Sequence, residues 1–548
     1  MTIRTISLLI MLMFTAFSCN KGSRIIINPE TDSNNTNGSL FISSIELADT
    51  ATIVYFDSYM RAGNWFRISS ETTLVGSSER VYNIISCEGI TLDKKEYAPE
   101  SGHTPFAIFF EPLTSVEKIV NFKEGDNDGD YRITGIKLYK VKQPAKNLQC
   151  ILKGKVIDRP NSNILVLSKK REDTRTAKVV YIPIKAGEFE YVLNCDYPQE
   201  YELAFQDELL NGAWHPVSFI SEQSTIYFTL FPMDKHSQNN IEGSDLNTEY
   251  REIEAKLTEY IEPLYKSLNE KQEALMSNNK YFTPEAAAIR NQIDESYKEG
   301  NREKAQSFQE KFNKIREAGK DLTPDAVALQ KEAEIIKEKF SLLKEQYVNE
   351  HLSIVGYGLL VQSAWENVHY TKTDIASFVD LYNKVYSQKF PDHPYTEEMN
   401  RIIVGASNIK LGGSFIDFTA PDLKGSLVTL SEQIKDKIAL IHLWASWCGP
   451  CRKHGKEMIP LYEAYKDQGF TVVGIAREYD SSAAEAAVKL DGYKWLNLVE
   501  VNDKEMIWTK YGLGNAGGGD FLVDKNGVIL AVNPSAEEVE SILKKLLL

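Results

Sequence analysis

Cysteine is scarce in this chain, with six among 548 residues, and only Cys448 and Cys451 stand close together. That count excludes a disulfide-stapled scaffold. Long apolar runs are lacking too. Ile6 to Phe17 suits the core of a signal peptide, and it falls short of the roughly 20 residues that a bilayer-spanning helix needs. Positive charge is in deficit: 62 Lys and Arg against 77 Asp and Glu leave a net charge of -15. This excludes nucleic acid as a partner and an electrostatic grip on anionic lipid. What is present is ordinary for a soluble globular protein, 43% hydrophobic and 25% charged. The length exceeds what one core can organise, so about three or four domains are expected.

Chemistry concentrates in Lys437–Arg452. Ile438 to Trp444 is a short apolar run of the kind that a strand buried on both faces needs. It leads into Trp447-Cys448-Gly449-Pro450-Cys451, and a helical pattern follows in Glu457, Leu461, Tyr462 and Tyr465. Two cysteines separated by two residues at a helix start can close a small disulfide. The helix N-terminus favours a thiolate at the first of them, and Pro450 fits the first turn, where its missing N–H costs nothing. A zinc site would need two further Cys or His ligands at suitable spacing, and none completes the set. The pattern points to thiol–disulfide exchange, with no metal and no cofactor.

The stretch Trp-Ala-Ser-Trp-Cys-Gly-Pro-Cys-Arg, together with Phe418-Thr-Ala-Pro-Asp-Leu-Lys-Gly425 and Phe521-Leu-Val-Asp-Lys-Asn-Gly527, resembles the thioredoxin superfamily. Within it, the resemblance is to the membrane-tethered TlpA-like and ResA-like oxidoreductases. It implies a C-terminal α/β thioredoxin fold over 409–548. Cys448 would be the attacking thiolate and Cys451 the resolving thiol, with Trp447, Gly449, Pro450 and Gly518 against the substrate. Protein disulfides would be the substrates, and a membrane thiol donor would supply the electrons. A thiol peroxidase and a non-catalytic scaffold lipoprotein are the rival readings.

Two departures from the family pattern stand out. His442 lies six residues before Cys448, where these proteins often carry a buried acid. Either it takes the proton of Cys451, for which its intrinsic pKa of about 6.5 is suited, or it is a hydrogen-bonded core histidine. Gly518, in Gly514-Asn-Ala-Gly-Gly-Gly519, occupies the place of a family proline in a cis peptide. A cis bond before any other residue costs several kcal/mol, so a trans loop is expected here. Arg477-Glu478 at the sheet's carboxyl edge reads as a solvated pair, and Trp495 as core.

The rest of the chain is multidomain. Residues 1–19 read as a lipoprotein signal peptide. Ala16-Phe-Ser-Cys19 looks like a lipobox that makes Cys19 the lipid attachment site; an ordinary signal peptide is the alternative. Either way the expected location is the cell envelope. Residues 20–38 form a polar tether. β-type runs over 39–145 and 146–235 suggest two N-terminal β-sandwich domains. The Gly125–Asp130 loop lacks the Glu that a calcium loop requires twelfth, since Lys137 stands there, and it reads as a turn. Cys150 and Cys195 could pair, or remain buried free thiols. A central α-helical segment spans 244–408. Thr283-Pro284 and Thr323-Pro324 mark helix starts. They predict helices over 247–277, 284–318 and 324–351, followed by 372–388 and 396–407. The segment serves as a spacer or as an arm for homodimerisation or substrate docking.

Overall fold

The computed structural model describes residues 24–34, 36, 39–125, 130–139, 148–174, 179–371, 374–479 and 481–547. The expected signal peptide with Cys19, part of the tether and most of the Gly125–Asp130 loop lie outside them. The chain divides into two compact units. Of the described residues, one joins those of 24–196, 200–243 and 407–547, and the other holds those of 244–406 with 197–199.

In the first unit, period-two alternation builds an antiparallel sheet of nine strands. Its order is Arg24–Ile27, Leu40–Leu47, Thr52–Tyr59, His103–Phe110, Val81–Glu88, Thr73–Gly76, Ile119–Lys123, Arg132–Lys137 and Ser33–Asn34. Along Thr52–Tyr59 every second residue is buried, which is how a pleated strand shows one face to a core. Val54, Phe56, Ile108, Phe110, Phe122 and Ile136 meet there.

Two four-stranded sheets follow. One places Leu148–Val156 between Glu188–Cys195 and Thr225–Leu230; the other centres on Ile164–Lys169 and Glu200–Phe205. Both feed one core, which includes Leu152, Leu167, Phe219 and Phe228. Cys150 and Cys195 sit buried on adjacent strands, with no disulfide between them. Burial pushes the Cys150 thiol up to about 11, so little thiolate forms and the group is inert.

The helical unit opens on Asp245–Ser277, capped by Ser244, whose hydroxyl accepts from the Asn247 amide at 3.1 Å. It packs along Pro324–Glu350. Between them lies a hairpin of two helices, Pro284–Lys298 and Arg302–Glu317. The single helix expected over 284–318 is therefore broken. Gly300 takes a left-handed φ of 72°, and Asn301 caps the next helix through the Lys304 amide. The unit's main core centres on Ile354–Glu366, which carries Tyr357, Leu360, Val361 and Ala364 inward. Helical turns over Ala376–Lys389 and the helix Pro394–Asn408 close around it.

From 407 onward the chain returns to the first unit and forms a five-stranded sheet. Its order is Leu496–Val501, Phe470–Glu478, Ile438–Trp444, Gly519–Val523 and Ile529–Val532. The first three run parallel, and Gly519–Val523 pairs antiparallel with both Ile438–Trp444 and Ile529–Val532. Ile438–Trp444 is buried at every residue, as a central strand covered on both faces must be. Ile441 and Leu443 point into one apolar cluster, and Leu440 and Trp444 into the other. This is the thioredoxin topology that the resemblance implies.

Candidate active site

The central strand ends at Trp444, and its last residues fix where the sulfurs stand. The helix Gly449–Tyr465 begins at once, with Cys448 as its N-cap and Pro450 in its first turn. Cys448 Sγ accepts from the Cys451 amide at 3.3 Å. The two cysteines are joined in a disulfide with Cα atoms 5.4 Å apart. Cys448 is half-buried beside the exposed Trp447, while Cys451 packs against the apolar cluster beneath the helix. A sulfur at the helix N-cap faces unpaired N–H groups and the positive end of the macrodipole, which stabilise its thiolate once the bond is reduced.

The segment before the cysteines is held from both sides. Glu478, at the end of the neighbouring strand, accepts from the Ser446 amide at 2.5 Å and from its hydroxyl at 3.0 Å. Arg452 grips Asp491 with two N–H groups, at 2.6 and 3.0 Å, and gives a third to the Ser446 carbonyl. The charge-assisted fork makes a rigid brace. Arg477 and Glu478, expected as a solvated pair, are only 4% and 3% exposed. The reading fails because each has a partner supplied by a distant part of the chain. Arg477 donates to both oxygens of Asp503 at 2.6 Å, and to the Gly514 carbonyl at 3.1 Å.

The glycine loop lies directly on the sulfurs. A Cβ placed on Gly517 would stand 2.7 Å from Cys448 Sγ; one on Gly518 would stand 2.0 Å from the Leu443 carbonyl oxygen and 3.0 Å from Cys451 Sγ. No side chain fits at 518 in this backbone, the proline of the family pattern included. Among the described residues every peptide bond is trans. The glycines thus bring bare backbone to the disulfide.

His442 is fully buried, and its Nδ1 lies 2.7 Å from Asp520 Oδ1 on the paired strand. With Asp520 as a carboxylate, Nδ1–H donates and Nε2 keeps its lone pair. Nε2 has no hydrogen-bond partner. It faces Gly455, one helical turn beyond Cys451, where an added Cβ would stand 3.1 Å from it. His454 Nε2 approaches the other oxygen of Asp520 at 3.5 Å. The structure therefore brings Cys448, Cys451, Trp447, Gly449, Pro450 and Gly518 together at one edge and sets His442 beneath the helix. Trp495 is core, stacked on Tyr493 at 4.8 Å between centroids. Among the described residues, no group of three or more His, Cys, Asp or Glu could hold a metal ion. Asp520 and Asp503 were missed in the sequence. Of these only Asp520 leaves a signal, a carboxylate in an otherwise apolar strand.

Residues 411–532 match the AhpC/TSA family, and the C-terminal domain is a thioredoxin-superfamily domain. Thiol-disulfide oxidoreductase ResA of Bacillus thuringiensis (strain Al Hakam) is 28% identical over 141 residues, covering 25% of this chain and 79% of that protein. Thiol:disulfide interchange protein DsbE of Allochromatium vinosum is 30% identical over 118 residues, covering 21% of this chain and 60% of that one. The crystal structure of the thioredoxin domain of a thiol-disulfide oxidoreductase from Bacteroides vulgatus is 25% identical and matches over 26% of this chain and 100% of that one, with a TM-score of 0.24.

Proposed function

We propose that this chain, whose C-terminal domain belongs to the thioredoxin superfamily, is a thiol–disulfide oxidoreductase of the cell envelope that reduces disulfides in protein substrates. One observation carries the reading: a Cys448–Cys451 disulfide at a helix N-cap, with the bare backbone of Gly517 and Gly518 laid over both sulfurs. Backbone without side chains is what an extended substrate segment can approach closely. Once 448–451 is reduced, the Cys448 thiolate attacks one sulfur of a substrate disulfide, and the other substrate sulfur leaves as a thiolate and takes a proton. Cys451, deprotonated, then attacks Cys448 and expels the second substrate sulfur, which is protonated in turn. Two electrons have passed to the substrate, and the 448–451 bond has re-formed. A membrane thiol donor resets the pair.

His442 takes the Cys451 proton in this scheme. The support is its buried lone pair at Nε2, oriented by Asp520 and directed at the helix one turn from Cys451. Two β-sandwich domains over 39–145 and 146–235 carry the module outward from a lipid on Cys19, and the helical segment over 244–408 is a spacer inserted in the chain between them and the module. The homodimer arm remains the alternative use of the helical segment.

The test is the reduced Cys451→Ser chain mixed with insulin. It should accumulate a disulfide between Cys448 and the substrate, seen on non-reducing gels, which the native chain resolves. In the native background, His442→Asn should change the pH profile of the resolution rate, and an unchanged profile removes the base role. A Cys451→Ser chain that makes no adduct but consumes hydrogen peroxide would replace this reading with a peroxidase. A 448–451 pair that never cycles would leave a scaffold.

A further inference from the structure

Arg477 is tied to more than the catalytic module. Two of its nitrogens are taken by Asp503. The third, Nη1, stands 3.1 Å from the Gly514 carbonyl and 3.2 Å from Asp173 Oδ2. Asp173 belongs to the second β region, in the turn that follows Ile164–Lys169, and it is only 4% exposed. Two residues along from Arg477, Tyr479 acts electrostatically on Tyr181 of that same region. The Trp508 ring lies under the guanidinium at 5.4 Å. A buried guanidinium thus shares its outer N–H groups between a carbonyl of the glycine loop and a carboxylate from another part of the fold.

We propose that Asp173 is a positioning residue for the redox site: through Arg477 it anchors the loop 514–518 that roofs Cys448 and Cys451, and so selects disulfides embedded in protein backbone. The inference rests on the oxidoreductase reading for its substrate and on geometry alone for its anchor. Without the Asp173 carboxylate, Nη1 keeps a buried N–H with no acceptor, which is costly enough to draw water into the contact. That water competes for the Gly514 carbonyl, three residues from Gly517. A looser loop loses its grip on a substrate's backbone, while a small disulfide that touches only Cys448 is indifferent to it. In the catalytic module by itself this acid is absent, so the β region supplies part of the site.

The experiment compares the full chain with Asp173→Asn and Asp173→Ala. Asp158→Asn, which breaks an exposed pair with Lys235, serves as control. Amide hydrogen exchange at 515–518 should quicken about three- to tenfold in the Asp173 variants, the range expected for one lost charge-assisted contact. KM for insulin should rise by a similar factor with kcat held, and the rate with 5,5′-dithiobis(2-nitrobenzoate) should stay at the native value. Protection retained in Leu148–Val156 shows that the β region is folded. Unchanged exchange at 515–518 in Asp173→Ala overturns the anchor. Insulin and small-disulfide rates falling together overturn the selectivity. A native chain that reduces neither substrate refutes the oxidoreductase reading, and the exchange measurement still decides the anchor.

Discussion

Glu500 sits at the foot of the Arg477 network, 2% exposed, with both carboxyl oxygens accepting from the Ile507 amide at 3.1 Å. Burial first, and then the neighbouring Asp503, push its carboxyl up to about 7. The folded protein therefore holds a proton that the unfolded chain, titrating near 4.5, has released. Stability from that proton is complete below about pH 4.5 and drains away as the pH climbs through 7, by at most about 3 kcal/mol. Glu500→Gln keeps the shape and removes the titration. Its melting temperature, followed by tryptophan fluorescence, should fall less than the native value from about pH 5 to about pH 8. Parallel curves for the two proteins would sink this. Glu200 shows the opposite balance: burial alone would raise it, yet Lys170 and Arg171 outweigh burial and hold it down to about 2. Such outcomes are illegible in a sequence. Gly518 was visible as a missing proline, but the Leu443 carbonyl that forbids any side chain there comes from another strand.

Secondary structure was legible where local chemistry sets it. Thr323 was read as a cap, and its hydroxyl does accept from the Ala326 amide while donating to the Lys280 carbonyl. Thr283 differs: its hydroxyl donates to the Lys320 carbonyl and caps nothing. Thr323→Ala should therefore fray the start of Pro324–Glu350 by about 1 kcal/mol, and Thr283→Ala should leave Pro284–Lys298 nearly untouched. Amide exchange over each first turn measures both, and equal effects would contradict the assignment. Gly300-Asn301 stops and restarts a helix within two residues, too short an interruption to break a periodic pattern. Ile354–Glu366 was passed over because a helix buried nearly all round shows no polar face from which to read a period. Arg477-Glu478 was misjudged since charged pairs are usually exposed, and only the topology brings Asp503 and Ser446 to them.

Across the whole molecule, legibility tracked the strength of the motif. The module around Cys448 and Cys451 could be followed strand by strand. The order of the nine-stranded sheet could not, because strands far apart in the chain pair there and the turns between them carry no record of it. The chain leaves its first compact unit at Gly243 and regains it at Ser407, so the helical unit is an insertion between two segments that pack together without it. The polypeptide behaves as a split protein that happens to be joined. A protease site engineered at Gly300 should yield two fragments that co-elute on gel filtration and keep their disulfide-exchange rate. Fragments that part without denaturant would refute this. Evolution could then lengthen, shorten or replace everything between 244 and 406 while the cysteines and Asp173 stay in register.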